Sequence, residues 1–189
     1  MSAQDSKLFV ISGPSGAGKG TLVTRVRERC SNLGLTVSAT TRAPRKGEVD
    51  GVNYFFLTRE EFDRRVANGE FVEWAEVHGN CYGTLVSEVQ SKLASGASLI
   101  LEIDVQGALQ VKERFPEAVL IFIKPPSLEV LRERLVGRGT ETPETIELRM
   151  ANAADELALA DRYDDVVVND DLDRATDELV RVLDMHERI

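Results

Sequence analysis

An open α/β sheet, with parallel strands at its centre and helices on both faces, is the fold class this sequence predicts. Three observations predict it: short runs of uninterrupted apolar residues recur along the chain, stretches of helical periodicity separate them, and the first run ends in a cluster of glycines. A strand that is apolar at every position has no polar face to offer water, so it belongs in a sheet covered on both sides.

The first such strand is Leu8-Phe9-Val10-Ile11. Beyond the glycines, Leu22, Val23, Val26 and Cys30 recur at helical spacing, with Gly34 as the expected stop. From Thr36 to Phe56 the chain turns β-branched and aromatic, broken by Ala43-Pro44-Arg45-Lys46-Gly47 and Asp50-Gly51, a pattern of strands joined by turns. Thr58 followed by Glu61 is a capping-box pattern for a short helix ending at Gly69, and Phe71 to Val77 then alternates as a strand carrying Glu73 and Glu76. These segments make a mixed αβ insertion. Leu99 to Val105 predicts a second buried strand, with Glu102 and Asp104 two apart near its end and therefore on one face. A third, Ala118 to Ile123, stops at Pro125-Pro126. Leu128, Leu131 and Leu135 mark a helix ending at Gly137, and Thr142-Pro143 caps the next, which carries Ile146, Met150, Ala153 and Leu157. Val166-Val167-Val168 predicts one more buried strand, and Leu172, Ala175, Leu179 and Leu183 a closing amphipathic helix.

The chain has 189 residues, of which 42% are hydrophobic, enough for one sizeable core and too many for a disordered chain. Asp plus Glu number 32 against 23 Lys plus Arg, so the net charge of −9 repels nucleic-acid backbones and anionic lipid. A general nucleic-acid or membrane binder is not expected. Cys30 and Cys81 stand far apart with no CxxC or Cys/His cluster, which argues against a zinc site or a disulfide framework and for a reducing cytoplasm. No apolar run approaches the ~20 residues of a membrane span, and Met1 to Lys7 is too short and polar for a signal peptide.

Gly13-Pro14-Ser15-Gly16-Ala17-Gly18-Lys19-Gly20-Thr21 meets the G-x4-G-K frame of a phosphate-binding loop, between a strand and a helix as that motif requires. The glycines let backbone N–H groups converge on phosphate oxygens, the helix start adds its positive end, and Lys19 reaches the terminal phosphates. A nucleoside triphosphate is the expected ligand. Gly20 follows the lysine, so the hydroxyl that commonly meets Mg2+ is displaced to Thr21. Arg42 and Arg45 flank a proline turn, a spacing that fits a bidentate phosphate fork and equally a solvated surface. Arg132, Arg134, Arg138 and Arg149 bracket Gly137-Arg138-Gly139-Thr140, which fits either helix-surface ion pairs or a lid closing over a transferred phosphoryl group. Glu102 and Asp104, acids in an apolar run, fit a ligand, a cation or an arginine as partner, or else an ordinary exposed strand end. Tyr54 and Tyr82 fit a core or a site, Glu73 an outward or an inward face, and His78 a structural role.

Together Gly13 to Lys19, Ser38 to Arg45, Gly51-Val52-Asn53-Tyr54, Phe71 to Ala75, Tyr82-Gly83-Thr84, Asp104-Val105-Gln106-Gly107, Gly137 to Thr140 and Val168-Asn169-Asp170 resemble, in order, a guanylate kinase of bacterial type. The resemblance runs from about Leu8 to the closing helix. It implies a P-loop three-layer αβα core with a parallel sheet over 1–35, 87–127 and 158–189, a GMP-binding region over 36–86, and a helical lid over 128–157. The implied reaction is ATP + GMP → ADP + GDP with Mg2+, with dGMP as a further acceptor, in purine nucleotide metabolism. By position, Gly13 to Thr21 bind ATP together with Arg134, Arg138 and Asn169. Ser38, Glu73 and Thr84 face the guanine, and Arg42, Arg45, Tyr54 and Tyr82 hold the GMP phosphate. Glu102, Asp104 and Arg149 complete the GMP side. Lys19, Arg42, Arg134, Arg138, Arg149 and Asp104 form the implied catalytic set, with Thr21 and Asp104 nearest a Mg2+ held through phosphates and water. The partners implied are the two nucleotides, with a monomer or small homo-oligomer and neither nucleic acid nor membrane.

Overall fold

A computed structural model describes residues 6–30, 32–77, 79–137 and 142–187. Strand β1 (Leu8–Ser12) is buried at every position, as its unbroken apolar text requires. It runs parallel between β7 (Ser98–Glu102) and β8 (Val119–Lys124), with Val10 opposite both Leu101 and Leu120. Strand β2 (Leu33–Leu35) joins the far side of β7 and β9 (Asp165–Val168) the far side of β8, giving a five-stranded parallel sheet of order β2-β7-β1-β8-β9.

Two apolar layers enclose this sheet. On one face Phe9, Ile11 and Ile121 pack against Leu22 and Val26 of α1 (Lys19–Arg29) and Leu179 and Leu183 of α7 (Leu172–Glu187). On the other Val10, Leu101 and Phe122 pack against Val89 of α3 (Val86–Ala94) and Val105, Ala108 and Val111 of α4 (Val105–Arg114). All these side chains are almost fully withdrawn from water, so each contributes on the order of 1.5–3 kcal/mol of burial.

A second, mixed sheet of order β4-β3-β6-β5 holds β3 (Ala39–Thr40), β4 (Phe55–Phe56), β5 (Phe71–Val77) and β6 (Asn80–Leu85). Helix α2 (Arg59–Ala67) covers it with Phe62, whose ring stacks 4.3 Å from that of Phe71. Thr58 caps α2 by accepting from the Glu61 N–H at 3.1 Å, as the capping pattern predicts. Helices α5 (Leu128–Gly137) and α6 (Pro143–Leu157) pack on each other through their own small core of Leu131, Leu135, Ile146 and Ala153. Thr142 accepts from Thr145 N and Pro143 opens α6.

Four expectations need correction. Helix α1 ends at Arg29, and Gly34 lies within β2, where a Cβ would stand 2.9 Å from a Leu99 methyl; close strand approach, not helix termination, requires the glycine there. β7 ends at Glu102 because Asp104 caps α4, its Oδ1 accepting from Gly107 N at 2.8 Å, so Glu102 and Asp104 do not share a strand face. Val166 and Val168 are 40% and 38% exposed, since β9 is an edge strand covered on its Val167 face alone. Between 36 and 56 the strands are only two residues each, the rest being turns. Among the described residues no helix is long and apolar enough to cross a membrane.

Candidate active site

The loop after β1 is shaped by backbone demands that only glycine meets. Gly13 has φ +140, and a Cβ there would sit 2.3 Å from the Ile123 carbonyl oxygen of β8. Gly18 stands at the N-cap of α1 in the left-handed region, offers no side-chain cap, and no acidic residue occupies the first turn. The orphan N–H groups of that turn and the positive end of α1 therefore point at the loop with no built-in anion, the arrangement that receives a phosphate. Lys19 Nζ donates to the Gly13 and Pro14 carbonyls at 2.6 and 3.1 Å, which lays the ammonium along the loop.

The loop is braced from two other elements. Asn169, 4% exposed after β9, donates from Nδ2 to the Ala17 carbonyl at 2.7 Å, and its own carbonyl accepts from Arg134 Nη2 of α5 at 2.8 Å. Leu131 and Leu135 of α5 lie within 3.1 Å of where a Gly16 Cβ would be, so α5 packs directly on the loop. Arg149 of α6 donates from Nη1 to Ser15 Oγ. Arg138 lies outside the described residues, as does His78. A cavity of about 350 Å³ opens beside this brace, lined by Gly16, Gly18, Thr21, Arg134, Asn169, Asp170 and Leu172.

Opposite the loop a second cavity, about 300 Å³, lies between the two sheets; Ser38, Tyr54, Thr84 and Glu102 are among its lining residues. Glu73 reaches this region through a β-bulge. The pairing of β5 with β6 slips between Phe71 and Glu73, so Glu73 opposes Thr84 and turns inward beside Val72, while Trp74 goes to the Phe62 side. Glu73 is 7% exposed, its Oε1 accepts from Thr84 Oγ1 at 2.8 Å, and its Oε2 lies 3.3 Å from a would-be Gly107 Cβ at the start of α4. Burial, aided by the Asp104 charge and opposed by Thr84, pushes the Glu73 carboxyl up to about 7.

At the near end of the mixed sheet, Arg42 lies 5.4 Å from the Tyr54 ring centroid, and the Tyr54 and Tyr82 rings meet edge to face at 6.3 Å. Glu48 Oε1 and Oε2 accept from Arg42 Nη2 at 2.9 and 3.0 Å. The Arg45 side chain is exposed. On the core side, Glu102 Oε1 lies 3.4 Å from a would-be Gly20 Cβ; partial withdrawal from water raises its carboxyl, and the Lys19 charge pulls it back. Glu156 of α6 is likewise raised by burial, lowered by Lys19 and raised by Asp104. Asp104, just beyond the carboxyl end of β7, is thus within electrostatic reach of both Glu73 and Glu156.

Sequence reasoning missed Glu48 and Glu156. Glu48 follows Gly47 in the turn after Arg45, a spacing that places it near an arginine already singled out, whereas Glu156 lies two helical turns beyond Arg149 and carries no such local signal. Among the described residues no three His, Cys, Asp or Glu side chains gather as a metal cage. The acids present offer oxygen alone, the donor type suited to an ion that keeps its waters and phosphate ligands.

A sequence model described as guanylate kinase matches residues 5–186. A guanylate kinase of Halalkalibacterium halodurans is 52% identical over 97% of this chain and 90% of its own length. One of Gloeobacter violaceus is 57% identical over 94% and 87%. The crystal structure of guanylate kinase from Anaplasma phagocytophilum superposes with TM-score 0.72 at 36% identity, covering 96% of this chain and 86% of that one.

Proposed function

The chain belongs to the guanylate kinase family, and from that premise we propose how its residues divide the work. It is a nucleoside monophosphate kinase, a phosphotransferase that moves the γ-phosphoryl of ATP to GMP and yields ADP and GDP. dGMP, which presents the same base and phosphate, is a second acceptor.

The loop from Gly13 to Thr21 takes the ATP phosphates, Lys19 leaving the Gly13 and Pro14 carbonyls for phosphate oxygens. The cavity walled by Arg134 and Asn169 takes the rest of ATP, and GMP occupies the cavity between the sheets. The ionised Glu73 accepts from guanine N1–H and N2–H, with Thr84 and Ser38 beside it. Arg42, Arg45, Tyr54 and Tyr82 hold the GMP phosphate. Its oxygen attacks the γ-phosphorus in line while the bridging oxygen departs with ADP, so positioning and charge carry the catalysis. Arg149 moves from Ser15 to the transferring group as regions 36–86 and 128–157 close over the core and exclude water, joined by Arg138. Thr21, Asp104 and Glu102 would hold, through water and phosphates, a Mg2+ that would neutralise charge on the phosphoryl oxygens.

The single observation that carries this division is the buried Glu73 carboxylate, bonded to Thr84 Oγ1 in the wall of the cavity between the sheets. A coupled ADP-release assay across GMP, AMP, CMP and UMP tests it: GMP is preferred by at least 100-fold in kcat/KM, and a comparable rate with AMP overturns the Glu73 assignment. The absence of any Cys cluster and the acidic surface support a cytoplasmic site of action.

A further inference from the structure

We propose that Glu48 is a positioning residue of the GMP phosphate site: its carboxylate, anchored on the Arg45 backbone N–H, braces the Arg42 guanidinium so that Arg42 stands preformed for an anion. This rests on the reading that Arg42 holds the GMP phosphate, and adds to it the residue that fixes the arginine's geometry.

The bond pattern is that of a brace. Both Glu48 oxygens accept from Arg42 Nη2, and Oε2 also accepts from the Arg45 backbone N–H at 2.6 Å. Glu48 N in turn donates to the Arg45 carbonyl at 3.0 Å, closing a four-residue turn with Gly47 at φ +90 in its third position, as a type II turn demands. The carboxylate is therefore held by the backbone of the turn that carries Arg45, and cannot swing away unless that turn opens. Arg42 is fixed on its other sides by Nη1 donating to the Ala43 carbonyl at 2.7 Å and by the Tyr54 and Phe56 rings, 5.4 and 5.9 Å from its central carbon. The pair is largely withdrawn from solvent, with side chains 15% and 19% exposed. Nη2 is spent on Glu48 through a fork to both carboxylate oxygens and Nη1 on the Ala43 carbonyl, with Tyr82 a further side-chain partner of the guanidinium.

An arginine has ample rotamer freedom, and each side chain that must be ordered on binding weakens affinity; holding Arg42 in place beforehand removes that penalty. The negative charge of Glu48 acts against a phosphate, so a brace and a competing anion predict opposite signs. A brace, once removed, weakens GMP binding; a competitor, once removed, tightens it.

Titration calorimetry with GMP and with guanosine, which lacks the phosphate, separates the two in the parent, E48A, R42A and the double variant. Expected is a loss of GMP affinity of ~5- to 10-fold in E48A. Guanosine affinity should stay within about twofold, and the double variant should bind GMP no more weakly than R42A, because Glu48 acts through Arg42. E48Q, which keeps the volume and one acceptor, shows a smaller loss of the same kind and serves if E48A melts near the assay temperature. Tighter GMP binding in either Glu48 variant overturns the proposal in favour of a competing anion. Equal losses for GMP and guanosine, or an undiminished E48A effect in the R42A background, overturn it in favour of general support of the turn. If R42A alone leaves the advantage of GMP over guanosine intact, the phosphate role of Arg42 fails first, and the brace with it.

Discussion

Replacing Glu73 with Gln should impair the enzyme and stabilise it at the same time. The folded carboxyl sits at about 7 against an ordinary 4.5, because burial at 7% exposure penalises its charged form. The pKa is raised on folding, so the stabilising contribution is fully present below pH 4.5 and is lost as pH rises through 7. At 1.36 kcal/mol per unit, the ionised Glu73 weakens the folded state at pH 8 by about 3 kcal/mol relative to a neutral group. Gln mimics the neutral form and keeps an oxygen that accepts from Thr84 Oγ1. The variant should therefore melt several degrees higher than the parent at pH 8, at roughly 2–4 °C per kcal/mol, with the difference shrinking towards pH 5. Guanine meanwhile loses an ionised acceptor for its two adjacent donors. kcat/KM for GMP should fall ~10-fold or more, and the GMP:AMP preference should narrow, because an amide donor no longer repels the bare adenine N1. Thermal melts at the two pH values, with steady-state kinetics on GMP and AMP, check both halves. A melting difference independent of pH, or unchanged GMP efficiency with an unchanged ratio, refutes the reasoning.

In the parent, the KM for GMP should rise as pH falls below about 7, where the free carboxyl gains a proton, and E73Q should flatten that profile. Lys19→Ala should cut turnover by orders of magnitude, since the Lys19 ammonium lies along the phosphate loop and its worth is to developing phosphate charge; near-parent kcat removes Lys19 from the phosphate site. Arg149→Ala should depress kcat more than the KM for either nucleotide, because its service comes in the closed, reacting state, and unchanged kcat ends the lid reading. GMP with an unreactive ATP analogue should shrink the radius of gyration in small-angle scattering, as regions 36–86 and 128–157 close; no change relative to the free protein speaks against closure.

What the sequence determined by itself was the local and contiguous part. The phosphate loop is legible because its glycines answer backbone demands within nine neighbouring residues, between a strand and a helix whose periodicities are local too. The caps at Thr58 and Thr142 are legible for the same reason: each spends its side chain on an N–H three residues away. Tertiary structure decided whatever depends on elements distant in the chain. Alternation along Phe71 to Val77 leaves the direction of Glu73 open. A bulge against β6 sets it, and α4, some thirty residues further on, then buries the carboxylate beside Gly107 and raises its pKa. Asp104 could continue a strand or cap a helix, and the packing of α4 over β1 and β8 selected the cap. Gly34 could end a helix or pass close to Leu99, and only the pairing of β2 with β7 shows which. Short-range hydrogen bonds and φ angles are encoded where they act, whereas burial and the electrostatics that follow from it exist only once remote segments share one interior.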